Sequence, residues 1–192
     1  MPRCDWCGDD PIYVAYHDKE WGVPEHRDRA LYEKLCLDGF QAGLSWIIVL
    51  KKRKRLRLAF DNFNPEKVAR FGAREINRLL KDASIIRSRA KIQATIGNAQ
   101  AWLAIMESGR GSFNDFLWKH VDRSPIVNHR KPTQSCATQT RQSRAMAKDL
   151  KQHGFKFVGP TICYAFMQAV GMVNDHAINC PRHKQVQMLY DK

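Results

Sequence analysis

Three groups of residues in this chain have the types and spacing for chemistry. Cys4 and Cys7 form a C-x-x-C pair with His17 shortly after. His176 and Cys180 stand at the other end, spaced H-x-x-x-C, with His183 beyond. Sets of four thiolates and imidazoles are what tetrahedral Zn²⁺ requires. A metal joining the two groups would tie the ends of the chain together and close a very large loop. The alternative is scattered thiols and surface histidines. The second group centres on Asp38, the one carboxylate inside the longest apolar stretch, LCLDGFQAGLSWIIVL at 35–50. Gly39 and Gly43 let another backbone or a flat ligand come close, and Trp46 follows soon after. An acid, two glycines and a tryptophan make a small pocket. The alternative is a core helix whose acid sits at an exposed edge, because buried acids are rare unless paired. The third group is GFKFVGPT at 154–161. Gly159 precedes Pro160 and Thr161, so the next helix opens with free backbone N–H groups that suit a phosphate, and Lys156 adds charge. An ordinary interhelical turn reads the same way.

The elements that must hold these groups are helices. A helical pattern begins at Asp28, with Leu31, Leu35 and Cys36 on one side, and runs into the apolar stretch. The next helix spans about Leu44 to Phe60 and ends in the basic run KKRKRLR at 51–57. Asn64-Pro65 reads as an N-cap with proline at the first helical position, followed by a short helix and another from Arg74 to Asp82. The spacing of Ile92, Ile96, Ala99 and Leu103 predicts one long helix from Ile85 to Glu107. Ser112 caps a helix carrying Phe113, Phe116 and Leu117. Residues 122–142 are polar and read as a long surface loop between two lobes. Helices resume at Ser143–Gln152 and Thr161–Val170. Alternating strands are absent, so the expected fold is all-α, one domain over 1–192 with two helical lobes. Residues 1–25 are too aromatic for a disordered tail.

Composition narrows the partners. There are 32 Lys+Arg against 19 Asp+Glu, a formal net charge of +13, which points to a polyanion, nucleic acid first. No apolar run approaches the ~20 residues of a membrane span, and MPRCDWCGDD is not a signal peptide. A cytoplasmic protein without membrane attachment is expected, its six cysteines free or metal-bound. Cys36, Cys136 and Cys163 show no partner spacing.

Taken together the sequence resembles the type I 3-methyladenine DNA glycosylases. The matching stretches are RCDW at 3–6, DPIYVAYHDKEWGVP at 10–24, LDGFQAGLSW at 37–46, IIRSRAKIQATIGNA at 85–99 and GFKFVGPTICYAFMQAVGMVNDH at 154–176. The resemblance implies a helix-hairpin-helix glycosylase fold with GFKFVG as the DNA-phosphate hairpin, so that Lys156, Gly159 and Thr161 contact DNA. It implies a structural zinc held by Cys4, His17, His176 and Cys180, leaving Cys7 and His183 spare. It implies a base pocket of Trp6, Tyr13, Tyr16, Trp21 and Trp46 with a catalytic carboxylate at position 38. The family pattern has glutamate there, and this chain has Asp38, one methylene shorter, a retreat of about 1.5 Å. The implied activity is monofunctional hydrolysis of the N-glycosidic bond of 3-methyladenine in double-stranded DNA, by a monomer. Two alternatives stay open: an alkylation-damage binding protein with little hydrolysis, and a glycosylase with altered base preference.

Overall fold

The computed structural model describes residues 2–190. Its helices are α1 (Pro11–Lys19), α2 (Asp28–Gln41), α3 (Trp46–Ala59), α4 (Pro65–Val68), α5 (Ala73–Lys81), α6 (Arg89–Glu107), α7 (Phe113–Trp118), α8 (Arg141–Gln152), α9 (Pro160–Ala169) and α10 (Pro181–Gln187). Two-residue strands, β1 (Ile126–Val127) and β2 (Val173–Asn174), pair in parallel. The all-α expectation holds. The strand pair, α1 and α10 are additions to it.

Helix α2 is the spine. It is buried continuously from Leu35 to Phe40, and α3, α6, α7 and α9 pack around it. A helix whose C-terminal half is buried on every side belongs in the middle of the fold. Tyr32 donates its hydroxyl to the Thr95 carbonyl at 2.9 Å, which ties α2 to α6. The Lys91 ammonium of α6 donates to the Phe40 and Ala42 carbonyls (2.8 and 2.6 Å) and so caps the C-terminal end of α2. The chain then turns through Gly43, at φ +75°, so Asp38 and Trp46 come from two different helices. After α9, Gly171 (φ +74°) lies against Val23–Pro24 so closely that a Cβ would come 2.5 Å from the Pro24 nitrogen. This contact brings the N-terminal segment onto the C-terminal one.

Local signals explain most boundaries. Asn64 caps α4 by accepting from the Lys67 N–H at 2.9 Å, and Ser112 with Asp115 forms a capping box on α7. The long helix starts at Arg89 rather than Ile85. Asp82 accepts from both the N–H and hydroxyl of Ser84, and that local turn competes with helix.

The helix-hairpin-helix expectation is corrected. The resemblance implied that fold with GFKFVG as its hairpin, whereas the helices are organised around α2. The turn is a connection tied inward: Phe155 and Val158 are buried. Asn98 of α6 accepts from the Lys156 N–H at 2.8 Å and donates to its carbonyl at 3.1 Å. Phe157 packs against Gly39, where a Cβ would meet its Cβ at 3.3 Å. The basic run is also partly consumed within the protein. Lys51 pairs with Asp10, Arg53 with Glu20, Arg57 with Glu33, and Lys52 donates to the Ser84 carbonyl.

Candidate active site and metal centre

The ends of the chain meet in a buried cluster. Cys4, His17, His176 and Cys180 bring their ligand atoms within 4.8 Å of one another. Cys4 Sγ lies 3.6 Å from His176 Nδ1, and Cys180 Sγ lies 3.6 Å from His17 Nε2 and 3.7 Å from His176 Nδ1. Tetrahedral zinc with ordinary Zn–S and Zn–N bonds puts sulfur and nitrogen about 3.6 Å apart, so the donor set has the dimensions of that ion. The outer partners fit as well. His17 Nδ1–H donates to Asp18 Oδ1 at 2.8 Å, and His176 Nε2–H to the Trp21 carbonyl at 3.1 Å. Each bond leaves the other ring nitrogen free to ligate. Hydrogen bonding from Arg3 holds the Asp18 carboxyl down to about 2. Cys4, His17, His176 and Cys180 form a Cys₂His₂ site suited to structural zinc. Cys7 and His183 stay outside it: Cys7 donates its thiol to the Cys4 carbonyl, and His183 Nε2 meets the Asn128 carbonyl at 2.9 Å.

Beside the cluster is a cavity of about 290 Å³ lined by Trp6, Tyr13, Tyr16, Trp21, Asp38 and Trp46. All six residues expected from the sequence are therefore brought together. Their rings form a continuous wall: Trp6 lies 5.0 Å from Tyr13 and 4.9 Å from Trp21, and Tyr16 lies 5.4 Å from Trp46. The wall rests on the metal ligands, with Trp21 4.5 Å from His176 and Trp6 5.5 Å from His17 between ring centres. The remaining lining includes Lys34, Gln41, Thr138 and Gln168.

Asp38 is 1% exposed and is ion-paired with Lys34, one helical turn back. Burial holds its carboxyl above the usual range, although Lys34 opposes this, and burial lowers Lys34. The Lys34 ammonium also sits 4.0 Å above the Trp46 ring centre. Asp38 Oδ2 and the indole N–H groups of Trp6 and Trp46 have no hydrogen-bond partner among the described residues. Unpaired buried acceptors and donors are costly, and three of them around one aromatic cavity suit a flat ligand with both kinds of edge.

Sequence reasoning missed Lys34, whose signal was its i,i+4 spacing to Asp38. It also missed Gln168, which donates to Asp175 at 2.7 Å. The residues expected on DNA lie apart from the cavity lining. Lys156 and Thr161 are exposed. Gly159 has φ −66° and open space where a Cβ would stand, so the protein's own packing does not demand glycine there.

Comparison with known proteins agrees with this arrangement. Residues 6–183 match the family model described as methyladenine glycosylase. A curated relative from Escherichia coli (strain K12), DNA-3-methyladenine glycosylase 1, is 52% identical over 94% of this chain and 96% of its own. A crystal structure of 3-methyladenine DNA glycosylase I is 53% identical, covers 94% of this chain and 98% of its own, and superposes with a TM-score of 0.91. The Y16F form of a 3-methyladenine DNA glycosylase I, solved in complex with 3-methyladenine, is 38% identical with a TM-score of 0.90 over 94% of this chain and 97% of its own. The fold is thus the all-α methyladenine glycosylase fold, distinct from the helix-hairpin-helix superfamily expected from the sequence. The chain belongs to the methyladenine glycosylase family.

Proposed function

We propose that this chain is a monofunctional base-excision-repair enzyme that hydrolyses the N-glycosidic bond of 3-methyladenine in DNA. The observation that carries this is the aromatic cavity with one buried carboxylate, in a chain of this family. A 3-methylated adenine in DNA is cationic, so its bond to the sugar is already weak, and the enzyme must chiefly extract the base and hold it. The ring faces around the cavity attract a cation. Asp38 reads the base edge and stabilises the oxocarbenium-like sugar electrostatically as the bond breaks; water then completes hydrolysis. The base departs neutral, without a strong acid to protonate it. Zinc, when bound by Cys4, His17, His176 and Cys180, supplies cross-linking only, because four protein ligands leave no open position.

Trp46→Ala tests the pocket. The loss of one desolvated aromatic face costs about 1–2 kcal/mol. Single-turnover release of 3-methyladenine should therefore fall roughly 5- to 30-fold. An unchanged rate would remove Trp46 from the base site.

DNA binding follows from the family and the charge of +13, with Lys156, the Gly159 backbone and Thr161 as phosphate contacts. Lys54 and Arg55 on α3 are also exposed and add positive charge. Binding should be insensitive to sequence and weaken steeply with salt. Lys156→Ala should lower the salt slope by about one and weaken every duplex alike, as read by fluorescence anisotropy from 50 to 200 mM salt. An unchanged slope would take Lys156 out of the interface. We take 1–192 as one domain acting as a cytoplasmic monomer.

A further inference from the structure

Among the described residues, Lys34 is the one charged side chain lining the base cavity besides Asp38. Its ammonium is already bound as a cationic ligand would be, against the Asp38 carboxylate and over the Trp46 face. The pair leaves the cavity without net charge. A cationic base brought to Asp38 and Trp46 meets a like charge at the same two groups. Lys34 also borders a second cavity, of about 300 Å³, lined by Glu20, Glu33, Arg53 and Arg57. Arg53 and Glu20 form a two-bond pair (2.5 and 2.8 Å), and Arg57 engages Glu33 through Oε1 at 2.6 Å. The flexible lysine stem therefore borders a second polar cavity within the protein, whose Glu20 and Glu33 carboxylates it would share with Arg53 and Arg57.

We propose that Lys34 is a specificity-determining residue, an internal cation that occupies the base site and must leave Asp38 and Trp46 before a cationic base can bind. This rests on the reading of the cavity as a base pocket. Its consequence is charge-specific. Lys34 weakens the binding of cationic purines and leaves neutral ones little affected, so it narrows the preference that an acid and a tryptophan alone would give.

The test is a tryptophan-fluorescence titration of the zinc-loaded protein at pH 8, which favours ionised Asp38. The probes are 3,9-dimethyladeninium, a fixed cation, and 9-methyladenine, its neutral counterpart. Lys34→Met should bind the cation about tenfold tighter, as follows if Lys34 is engaged in about nine molecules of ten, with the neutral probe unchanged within about twofold. Lys34→Arg, which keeps a cation, should bind the cation no tighter than the native protein. Lys34→Gln serves in place of the methionine variant if the latter does not fold. Unchanged or weaker cation binding in the neutral variants would overturn the proposal, as would equal gains for both probes. Single-turnover release from methylated duplex DNA is measured alongside, and the gain should appear as a lower half-saturation concentration. Absence of base release in every form, with tighter cation binding in the variants, would defeat the enzymatic reading and leave the role of Lys34 standing. Release without tighter cation binding would do the reverse.

Discussion

Cys180→Ser should leave the chain without its zinc and lower its melting temperature by on the order of 10 °C. The four ligands are buried and join residues from the two ends of the sequence, so the ion closes a loop of nearly the whole chain. One cross-link closing a loop of 100 residues is worth about 4–5 kcal/mol in the chain-entropy account. In a domain of this size each kcal/mol is worth about 2–4 °C. The loss should extend to activity, because Trp21 and Trp6 pack on His176 and His17, and removing the ion frees that wall of the base cavity. Cys7→Ser is the control: it removes a buried thiol outside the cluster and should keep one zinc per chain. Elemental analysis with thermal denaturation decides. A Cys180→Ser protein that retains both metal and melting temperature would show that the cluster holds no structural ion.

Asp38→Asn should slow 3-methyladenine release by about 10²-fold, or ~2.7 kcal/mol of transition-state stabilisation. The substitution keeps the shape and removes the one carboxylate among the described residues lining the cavity. It also strands the buried Lys34 ammonium without its partner, which costs stability, so rates are compared well below the melting temperature. Asp38→Glu should act in the opposite sense. It carries the carboxylate about 1.5 Å further into a cavity with room for it, and release should rise roughly tenfold, ~1.4 kcal/mol. Slower release by the glutamate form would mean that Lys34 and Trp46 have closed around the shorter acid, making the added methylene a source of overpacking. Equal rates for all three forms would remove position 38 from the reaction.

Much of this arrangement is legible in the sequence because it rests on local signals. Apolar periodicity gives α2 and the body of α6, and Asn64 and Ser112 announce the helices they cap. The aromatic crowding of residues 1–25 and the cysteine and histidine spacings point to the pocket and the metal. What was missed depends on tertiary direction. Nothing local says that Lys34 turns into the cavity rather than to solvent, or that Thr138 from the polar 122–142 stretch reaches the same space. The pairing of Ile126 with Val173 is too short and too distant in sequence to leave an alternating pattern. Helix α10 is polar and announced only by Pro181. The helix-hairpin-helix expectation failed for a related reason. The resemblance carried the superfamily with it, while the turn itself reads equally as an ordinary connection, and the Asn98 clamp on Lys156 shows how it is built into the fold.

This protein should break one bond and leave the strand intact. A defined duplex bearing 3-methyladenine, incubated with excess native protein, should yield the free base and abasic sites in equal amounts, with strand scission only after alkali. Saturable binding of that duplex without release of free base would contradict the claim and make the protein a binder of alkylated DNA.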